Sequence, residues 1–325
     1  MANKLHELLM KAPVEGTFGI EIECEGENLY PVDNNYWKTE DDGSLRGVFP
    51  HSRCEWVFKK PQDLKKTLLA IKHLNNKQEE MGAKPSFSFR TSVHVQVNVL
   101  DLTWNQYCNF IYLYLLLEEP LMYFCGQERI GNRFCLRMQD AEGLLDVVQH
   151  IFQTGPGALR ILNEDGIRYS AINLYTTRKY GSLEFRGMRG TLDVDVLATW
   201  ISTLDGLKNI SKEFNNVIEI HEYFKKTRNQ TLIQRCLGEE FWYGSMDIDM
   251  NTSFSLCYEL PFLFKNVEAR KEQAPLNADG LVKWAEGVIA RGQIIPNPLR
   301  DNPFDNVPVR RAQAHDLFIV DGGVE

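Results

Sequence analysis

The sequence predicts an α+β fold in which several strands share one polar face. Stretches with strict alternation of apolar and polar residues recur along the chain, and helical patterns separate them without an obvious linker. The 325 residues, 43% of them hydrophobic, are enough to form a sizeable buried core. We therefore expect a sheet packed against helices, in one large domain or two ordinary ones.

The first predicted strand is TFGIEIECEGE, residues 17–27. Glu21, Glu23 and Glu25 alternate with apolar residues, so the three carboxylates point to one face of the strand. Neighbouring carboxylates then stand roughly 6.5–7 Å apart, and water or cations must relieve their repulsion. From this stretch alone, a solvated face of an antiparallel sheet and a metal site are equal alternatives.

A second strand is predicted in CEWVFKKP, residues 54–61. The polar stretch 28–53 before it is rich in Asp, Asn and Gly and is expected to form loops or a short hairpin. Pro61 is expected in the first turn of a helix that ends at Gly82.

The central part of the chain alternates in the same way. A third strand is predicted in FRTSVHVQVNVLDL, residues 89–102, and Thr103 is the predicted N-cap of a long helix that reaches Cys125. Another helix is predicted near 141–152. RYSAINLY (168–175) and YGSLEFRG (180–187) are expected to pair as a hairpin around TTRKYG.

The C-terminal part predicts helical structure over 193–226 and again over 278–291. The tail at 294–311 is too rich in Pro and Asn for regular structure and is expected to wrap the surface or to mediate assembly, including of a homo-oligomer. We therefore predict a catalytic domain at 1–270, followed by a C-terminal helix and wrapping tail at 271–325.

Charge and cysteine content exclude several classes of function. Lys and Arg number 36 and Asp and Glu 44, so the formal net charge is −8. This argues against a protein that coats nucleic acid but allows a phosphorylated ligand in a local basic pocket. The seven cysteines never occur in CxxC spacing, which indicates neither a disulfide framework nor a zinc cluster. A reducing cytoplasm is the expected location.

No membrane association is predicted. The N-terminal residues lack the order of a secretion signal and are typical of a short amphipathic helix. The most apolar segment, residues 110–117, is too short to span a bilayer and indicates a buried helix.

Several predicted strands carry polar groups of one type on the same face. In SVHVQVNV, the groups of His94, Gln96 and Asn98 lie opposite the valines, and GSLEFRG places Glu184 and Arg186 together. We expect one polar face to carry these groups together with Glu21, Glu23 and Glu55. Its charges would stay unpaired unless the face bound ions and a ligand.

Carboxylates with one imidazole and no thiolate suit Mg²⁺ or Mn²⁺ better than Zn²⁺. The chain has no P-loop and no Rossmann glycine motif, so any nucleotide must be held by metals and arginines. It also lacks the GxSxG and HExxH motifs of covalent hydrolases and zinc proteases.

The order of these blocks resembles the amidoligase family of the glutamine-synthetase and glutamate–cysteine-ligase (carboxylate-amine ligase) superfamily. The blocks are GIEIE, DGSL, CEWVFKKP, SVHVQVNV, RYSAINL, and SLEFRGMRGTLD before VLATWI. The resemblance runs from about Phe18 to Leu207. It implies a glutamine-synthetase-like catalytic fold, a funnel-like, mainly antiparallel sheet. The inner face would hold ATP with two or three Mg²⁺ ions, and helices would cover the outer face.

The resemblance also implies a metal-binding role for five residues. Glu21 and Glu23 match ligands on the first strand and Glu55 a ligand on the second. His94 matches the histidine near the metal that bridges the ATP phosphates, and Glu184 matches a later ligand.

Further roles follow from the same resemblance. Arg186 matches an arginine that meets the γ-phosphate or a substrate carboxylate, and with Glu23 and Glu184 it forms the expected catalytic set. Glu21, His94, Gln96 and Arg186 are the expected ATP contacts. Arg168 and Asn173 lie in a block that contributes substrate contacts.

One departure concerns Gln96, since many relatives have a second histidine there. A glutamine oxygen can still ligate Mg²⁺ or bond a phosphate, but its neutrality leaves the number of metals open.

The expected function is an ATP-dependent carboxylate–amine ligase, in which an amine traps an acyl phosphate to give an amide. Its expected partners are small-molecule or peptide carboxylates and amines. A guanidino-type phosphotransferase, a two-metal phosphoesterase or nuclease, and a non-catalytic assembly protein that inherited the fold remain as alternatives.

Overall fold

The computed structural model of the chain describes residues 3–141, 143–160, 162, 167–226, 234–237, 248 and 250–264. Seven strands in this part of the chain form one open sheet: β1 (Phe18–Glu27), β2 (Trp37–Glu40), β3 (Arg53–Phe58), β4 (Lys84–Ser86), β5 (Val93–Asn98), β6 (Ile172–Asn173) and β7 (Ser182–Phe185). Their order is β2-β3-β1-β5-β7-β6, β4 pairs with β1, and all these pairings are antiparallel.

The described helices are α1 (Leu5–Leu8), α2 (Leu64–Glu80), α3 (Trp104–Leu116), α4 (Glu118–Cys125), α5 (Leu144–Thr154), α6 (Tyr175–Tyr180), α7 (Val194–Ser211) and α8 (Asn251–Cys257). Residues 217–226 are helical as well. The chain is therefore α+β with a mainly antiparallel sheet, as the sequence predicts.

The apolar face of the sheet packs against helices. The valine side chains of β5 are fully buried. In β7, the ring of Phe185 lies 5.5 Å from that of Phe110 and 5.0 Å from that of Tyr114, both on α3. At the sheet edge, Trp37 donates from Nε1 to the carbonyl of Ala70 on α2 at 3.1 Å. The large aromatic area buried here holds the strands in a fixed register.

The register aligns the polar side chains across the strands. Glu23 of β1 lies opposite Glu55 of β3, and Glu21 lies opposite His94 of β5. On the next pair, Gln96 of β5 lies opposite Glu184 of β7. Because side chains alternate along each strand, these groups share the face opposite the helices.

Local side-chain chemistry defines the helix boundaries. The Thr103 hydroxyl accepts from Gln106 N, and the Gln106 side chain accepts from Thr103 N, a capping box that confirms the predicted start of α3. The predicted first-turn position of Pro61 is wrong, because Asp63 caps α2 and accepts from Lys66 N at 2.8 Å.

Two predicted helices are interrupted. The helix predicted to reach Cys125 breaks at Leu117, and Pro120 lies in the first turn of α4, where its missing N–H costs no hydrogen bond. The helical pattern over 193–226 breaks after α7, where the side chain of Asn216 accepts from Ile218 N and Glu219 N and starts a new helix.

The connections also differ in part from the prediction. The stretch 28–53 contains β2, which pairs with β3. The two predicted hairpin strands do pair, but β6 is only two residues long and the expected turn is the short helix α6. Thr176 donates from Oγ1 toward the carbonyls of Asn173 and Ser182, which closes this connection.

The predicted helix at 278–291 and the tail at 294–311 lie outside the described residues, so the division at residue 270 stays a prediction. All seven cysteines are buried free thiols. None of the described helices combines the length and apolar character required to cross a bilayer.

The cap of α3 gives a stability test. We expect Thr103→Ala to lower the free energy of unfolding by about 1 kcal/mol, since it leaves the amide of Gln106 without its acceptor. Urea denaturation measures this change. Thr154→Ala, at an exposed threonine at the end of α5, is the control and should change stability by less than about 0.5 kcal/mol. Equal losses in both variants would contradict the capping argument.

Candidate functional site

The predicted metal ligands meet on the polar face of the sheet. They lie on four adjacent strands, with Glu55 on β3, Glu21 and Glu23 on β1, His94 on β5 and Glu184 on β7. His94, Glu23 and Glu184 are almost completely buried. We call these five residues, with Arg186, the acidic cluster. Their spread over more than half of the described chain shows that only the strand order brings them together.

His94 lies at the centre of the acidic cluster. Its Nδ1 atom is 3.2 Å from Glu21 Oε2 and 3.7 Å from Glu184 Oε1. On the other side of the ring, Nε2 is 2.8 Å from the Ser92 hydroxyl and 3.7 Å from Glu23 Oε1. One imidazole therefore contacts three of the four carboxylates.

The hydrogen-bond order around His94 assigns its tautomer. The hydroxyl of Ser92 donates its one hydrogen to Glu23 Oε2 at 2.6 Å. It must then accept from Nε2–H of His94, which leaves the lone pair of Nδ1 facing the oxygens of Glu21 and Glu184. Acceptors at these distances are stable only with a proton or a metal ion between them.

Burial shifts the pKa of each of these groups toward its neutral form, so the imidazole loses a proton and the carboxylates gain one. Burial lowers the pKa of His94 to about 4, with a further contribution from Arg186. Burial, followed by the charges of Glu21 and Glu23, raises the pKa of Glu55 to about 9. Burial also raises the pKa of Glu21, against the effect of Arg186. Without a cation, the site therefore relieves its repulsion by binding protons.

Amide and hydroxyl groups fix the orientation of Glu21. Gln96 donates from Nε2 to Glu21 Oε1 at 2.8 Å, and Gln96 Oε1 accepts from the Ser182 hydroxyl at 2.9 Å. The second oxygen of Glu21 is thereby directed toward His94. In this arrangement Gln96 positions a candidate ligand, and the ATP contact predicted for it stays a prediction.

The side of the site near β6 and β7 carries the only arginine of the acidic cluster. Glu184 accepts from Asn173 Nδ2 at 2.7 Å and from Arg186 Nη1 at 3.1 Å. Arg186 also directs Nε toward the carbonyl of Phe134 at 3.4 Å, and its side chain is 15% exposed. Asn173 is therefore buried against Glu184, whereas the guanidinium group of Arg186 reaches the surface of the site.

Arg168 is exposed and lies in the turn 167–169, outside the sheet. Its guanidinium carbon is 5.4 Å from the centroid of the Tyr169 ring, and that ring contacts Phe134 with centroids 6.0 Å apart. Since the Phe134 carbonyl accepts from Arg186, Arg168 lies on the Arg186 side of the site. The predicted substrate contacts of Arg168 and Asn173 are untested by this geometry.

Three residues that contact the site lie outside the set predicted from the sequence. Ser92 and Ser182 belong to the same alternating faces as His94 and Glu184, so the period-two pattern contained a signal for both. Arg129 gave no such signal. It is 1% exposed and donates to backbone carbonyls, including those of Gly187 and Arg186 at 3.1 and 3.0 Å.

The acidic cluster has the chemistry of a divalent cation site. One ligand atom each from Glu21, Glu55 and His94 lie within 4.8 Å of one another, close enough to share an ion. Oxygen-rich ligands with one imidazole suit Mg²⁺ or Mn²⁺. Such an ion would satisfy the Nδ1 lone pair and replace the protons that the carboxylates otherwise retain.

Comparisons with known proteins assign no family to the chain. No family model matches it, and no curated protein matches it.

The raised pKa of Glu55 predicts a pH-dependent stability in metal-free buffer. The folded protein keeps this proton up to about pH 9, while the unfolded chain loses it near 4.5. Because the folded state binds more protons in this interval, stability should fall as pH rises through it. Glu55→Gln should make the fall in melting temperature smaller.

Thermal melts in a chelating buffer across this pH range provide the measurement. Glu27→Gln is the matched control, because Glu27 lies on β1, the strand that pairs with β3, but is exposed and paired with Lys84. A parallel pH profile for wild type and Glu55→Gln would show that Glu55 is already ionised in the folded protein.

Proposed function

We propose that the protein is a Mg²⁺-dependent ATP-utilising carboxylate–amine ligase with a glutamine-synthetase-like fold. The observation that supports this most directly is the set of acceptor atoms around His94 Nδ1, which faces two glutamates beside Arg186. The ordered sequence blocks that resemble the amidoligases supply the reaction class. In this proposal, the polar face of the open sheet is the inner wall of the funnel.

The acidic cluster would hold the metal. Glu21, Glu55 and His94 offer the closest set of ligand atoms, and Glu23 and Glu184 flank the imidazole. When bound, Mg²⁺ or Mn²⁺ would neutralise phosphate charge and so reduce the repulsion between ATP and an attacking carboxylate. Ser92 and Gln96 would keep His94 and Glu21 oriented toward the ion.

Arg186 would stabilise negative charge at the reacting phosphoryl group. Glu184 and the Phe134 carbonyl hold its Nη1 and Nε atoms, while its Nη2 group has no hydrogen bond to any described residue. That group can donate to a γ-phosphate oxygen or to the substrate carboxylate. A preorganised donor of this kind lowers the barrier without reorganising during the reaction.

The proposed reaction needs no nucleophile from the protein. The carboxylate of the acid substrate attacks the γ-phosphorus of ATP, and ADP leaves as an acyl phosphate forms. A neutral amine then attacks the acyl carbon, phosphate leaves, and the amine gives up a proton as the amide forms. Small molecules or peptides would supply the acid and the amine.

Three alternatives differ from this proposal in their products. A guanidino-type phosphotransferase would form ADP without an amide. A two-metal phosphoesterase or nuclease would cleave phosphodiesters without ATP, and an assembly protein would bind neither Mg²⁺ nor ATP. Product analysis with mixed acids and amines therefore distinguishes all four.

Ligand binding gives the first test. Mg²⁺ with a non-hydrolysable ATP analogue should raise the melting temperature by on the order of 5 °C at about 100 times Kd, because it stabilises only the folded state. Differential scanning fluorimetry measures the shift. Glu55→Gln should reduce it, and the exposed Glu27→Gln should retain it. No shift in a well-folded wild-type protein would reject the proposal.

Two substitutions separate metal binding from phosphate handling. Glu23→Gln keeps the side-chain shape but removes one charge beside His94, so Mg²⁺ affinity should fall and excess Mg²⁺ should partly restore turnover. Arg186→Lys keeps the charge but loses the planar fork, so nucleotide should still bind while turnover falls.

The expected loss for Arg186→Lys is on the order of 100- to 1,000-fold. ADP release is measured against Mg²⁺ concentration for each variant, with the true substrates or as uncoupled ATP hydrolysis. Wild-type turnover in both variants would mean that the polar face is only a solvated surface.

A further inference from the structure

A cationic and aromatic group lies beyond one end of the acidic cluster. Phe89 is 49% exposed, and its ring centroid is 5.8 Å from the guanidinium carbon of Arg46 and 5.5 Å from that of Arg90. We call these three residues the Phe89 platform. An exposed ring held beside two guanidinium groups offers both stacking and positive charge to a flat anionic ligand.

The Phe89 platform is fixed by hydrogen bonds from three segments. Its carbonyl accepts from Asn132 Nδ2 at 2.8 Å and lies 3.5 Å from Nη1 of the buried Arg129. Arg90 donates from Nη1 to the carbonyl of Ser44 at 3.0 Å, which connects the loop that carries Arg46. These contacts hold the backbone that carries the ring, and the Arg90 side chain, in place before any ligand arrives, which lowers the entropic cost of binding.

Arg129 links the platform to the acidic cluster. Besides Phe89, its guanidinium group donates to the carbonyl of Arg186 at 3.0 Å and lies 3.4 Å from that of Thr91. A buried guanidinium group is costly without hydrogen-bond acceptors, and these carbonyls supply them. Separating the segments that carry the carbonyls would therefore cost free energy. The distance between Phe89 and Arg186 is thereby constrained.

The platform continues the row of carboxylates on β1. Glu25, next after Glu23 on the polar face, accepts from Arg46 N at 2.8 Å. Phe89 is three residues before Ser92, which bonds both Glu23 and His94. Three residues of chain span at most roughly 11 Å, which an extended nucleoside triphosphate can bridge.

The two arginines lack a carboxylate partner among the residues that the structure describes. No salt bridge in this part of the chain joins Arg46 or Arg90 to Asp or Glu, whereas Arg53 pairs with Asp41. Nε of Arg90 is buried without a hydrogen-bond partner. In a chain of formal net charge −8, unpaired guanidinium groups beside an exposed ring favour an anionic, planar ligand.

We infer that the Phe89 platform binds the base of a nucleoside triphosphate whose phosphates extend along β1 toward Glu23 and His94. The inference rests on the proposed function, since it assigns the orientation of the nucleotide in that site. Phe89 stacks on the base, and the guanidinium groups of Arg46 and Arg90 beside the ring attract the anionic ligand as a whole. A base recognised by stacking also makes the site tolerant of different purines.

A ligand without a base isolates this contribution. Isothermal titration in Mg²⁺ compares a non-hydrolysable ATP analogue with inorganic tripolyphosphate, which carries the same kind of charge but no ring. Phe89→Leu should lower the affinity for the analogue by about tenfold and leave the affinity for tripolyphosphate unchanged, because only the stacking surface is lost. Phe89→Tyr keeps an aromatic face and should bind both ligands as wild type does.

Tyr180→Leu is the matched control at the other end of the polar face. Tyr180 is 53% exposed, lies 4.8 Å from the ammonium group of Lys179, and lines a cavity of about 60 Å³ with Gln96 and Ser182. The Tyr180→Leu variant should bind both ligands with wild-type affinity. Loss of analogue binding in Tyr180→Leu instead would place the base at the opposite end and overturn the inference.

The remaining outcomes separate the inference from the proposed function. Wild-type affinity of Phe89→Leu for the analogue, or equal weakening of both ligands, would overturn the Phe89 platform while Mg²⁺-dependent phosphate binding remained intact. If the wild-type protein bound neither the analogue nor tripolyphosphate, the proposed function itself would fail. Circular dichroism melts establish that each variant is folded.

Discussion

The structure depends on one electrostatic constraint, the contact between acceptor atoms around His94. Its Nδ1 atom lies 3.2 Å from a Glu21 oxygen, and Ser92 has already fixed the ring hydrogen on the other side. A proton or a cation has to occupy the space between these atoms. The raised pKa values of Glu21 and Glu55 show how the protein relieves this repulsion by itself. The same repulsion is the source of the affinity that we propose for a divalent ion.

The rest of the fold keeps these groups from moving apart. Helices pack on the apolar face through Phe185 and Trp37, so the strands cannot slip without exposing aromatic area. Asn173, Gln96 and Ser92 each bond a carboxylate of the acidic cluster. These neutral donors fix the carboxylate orientations without adding positive charge to the site.

A buried arginine has a different role. Arg129 contacts carbonyls at both ends of the site, next to Phe89 and Arg186. It therefore joins the surface proposed for the base to the guanidinium group proposed for the phosphoryl group. The nucleotide orientation that we infer follows from this link and from the continuous row of glutamates on β1.

The sequence by itself determined which residues share a face. The alternation in GIEIE, SVHVQVNV and SLEFR assigned Glu21, Glu23, His94 and Glu184 to polar faces, because side chains on a strand repeat every two residues. It also determined local boundaries such as the Thr103 cap, which needs only neighbouring residues.

Only the tertiary structure decided which strands are neighbours and therefore which polar groups meet. The position of Arg129 depends on such long-range packing, because it donates to carbonyls more than 50 residues away in sequence. The tautomer of His94 belongs to this class as well, since it follows from Ser92 and Glu23 on different strands or loops. Short-range patterns cannot contain such information, because strand order and hydrogen-bond direction arise only when the chain packs.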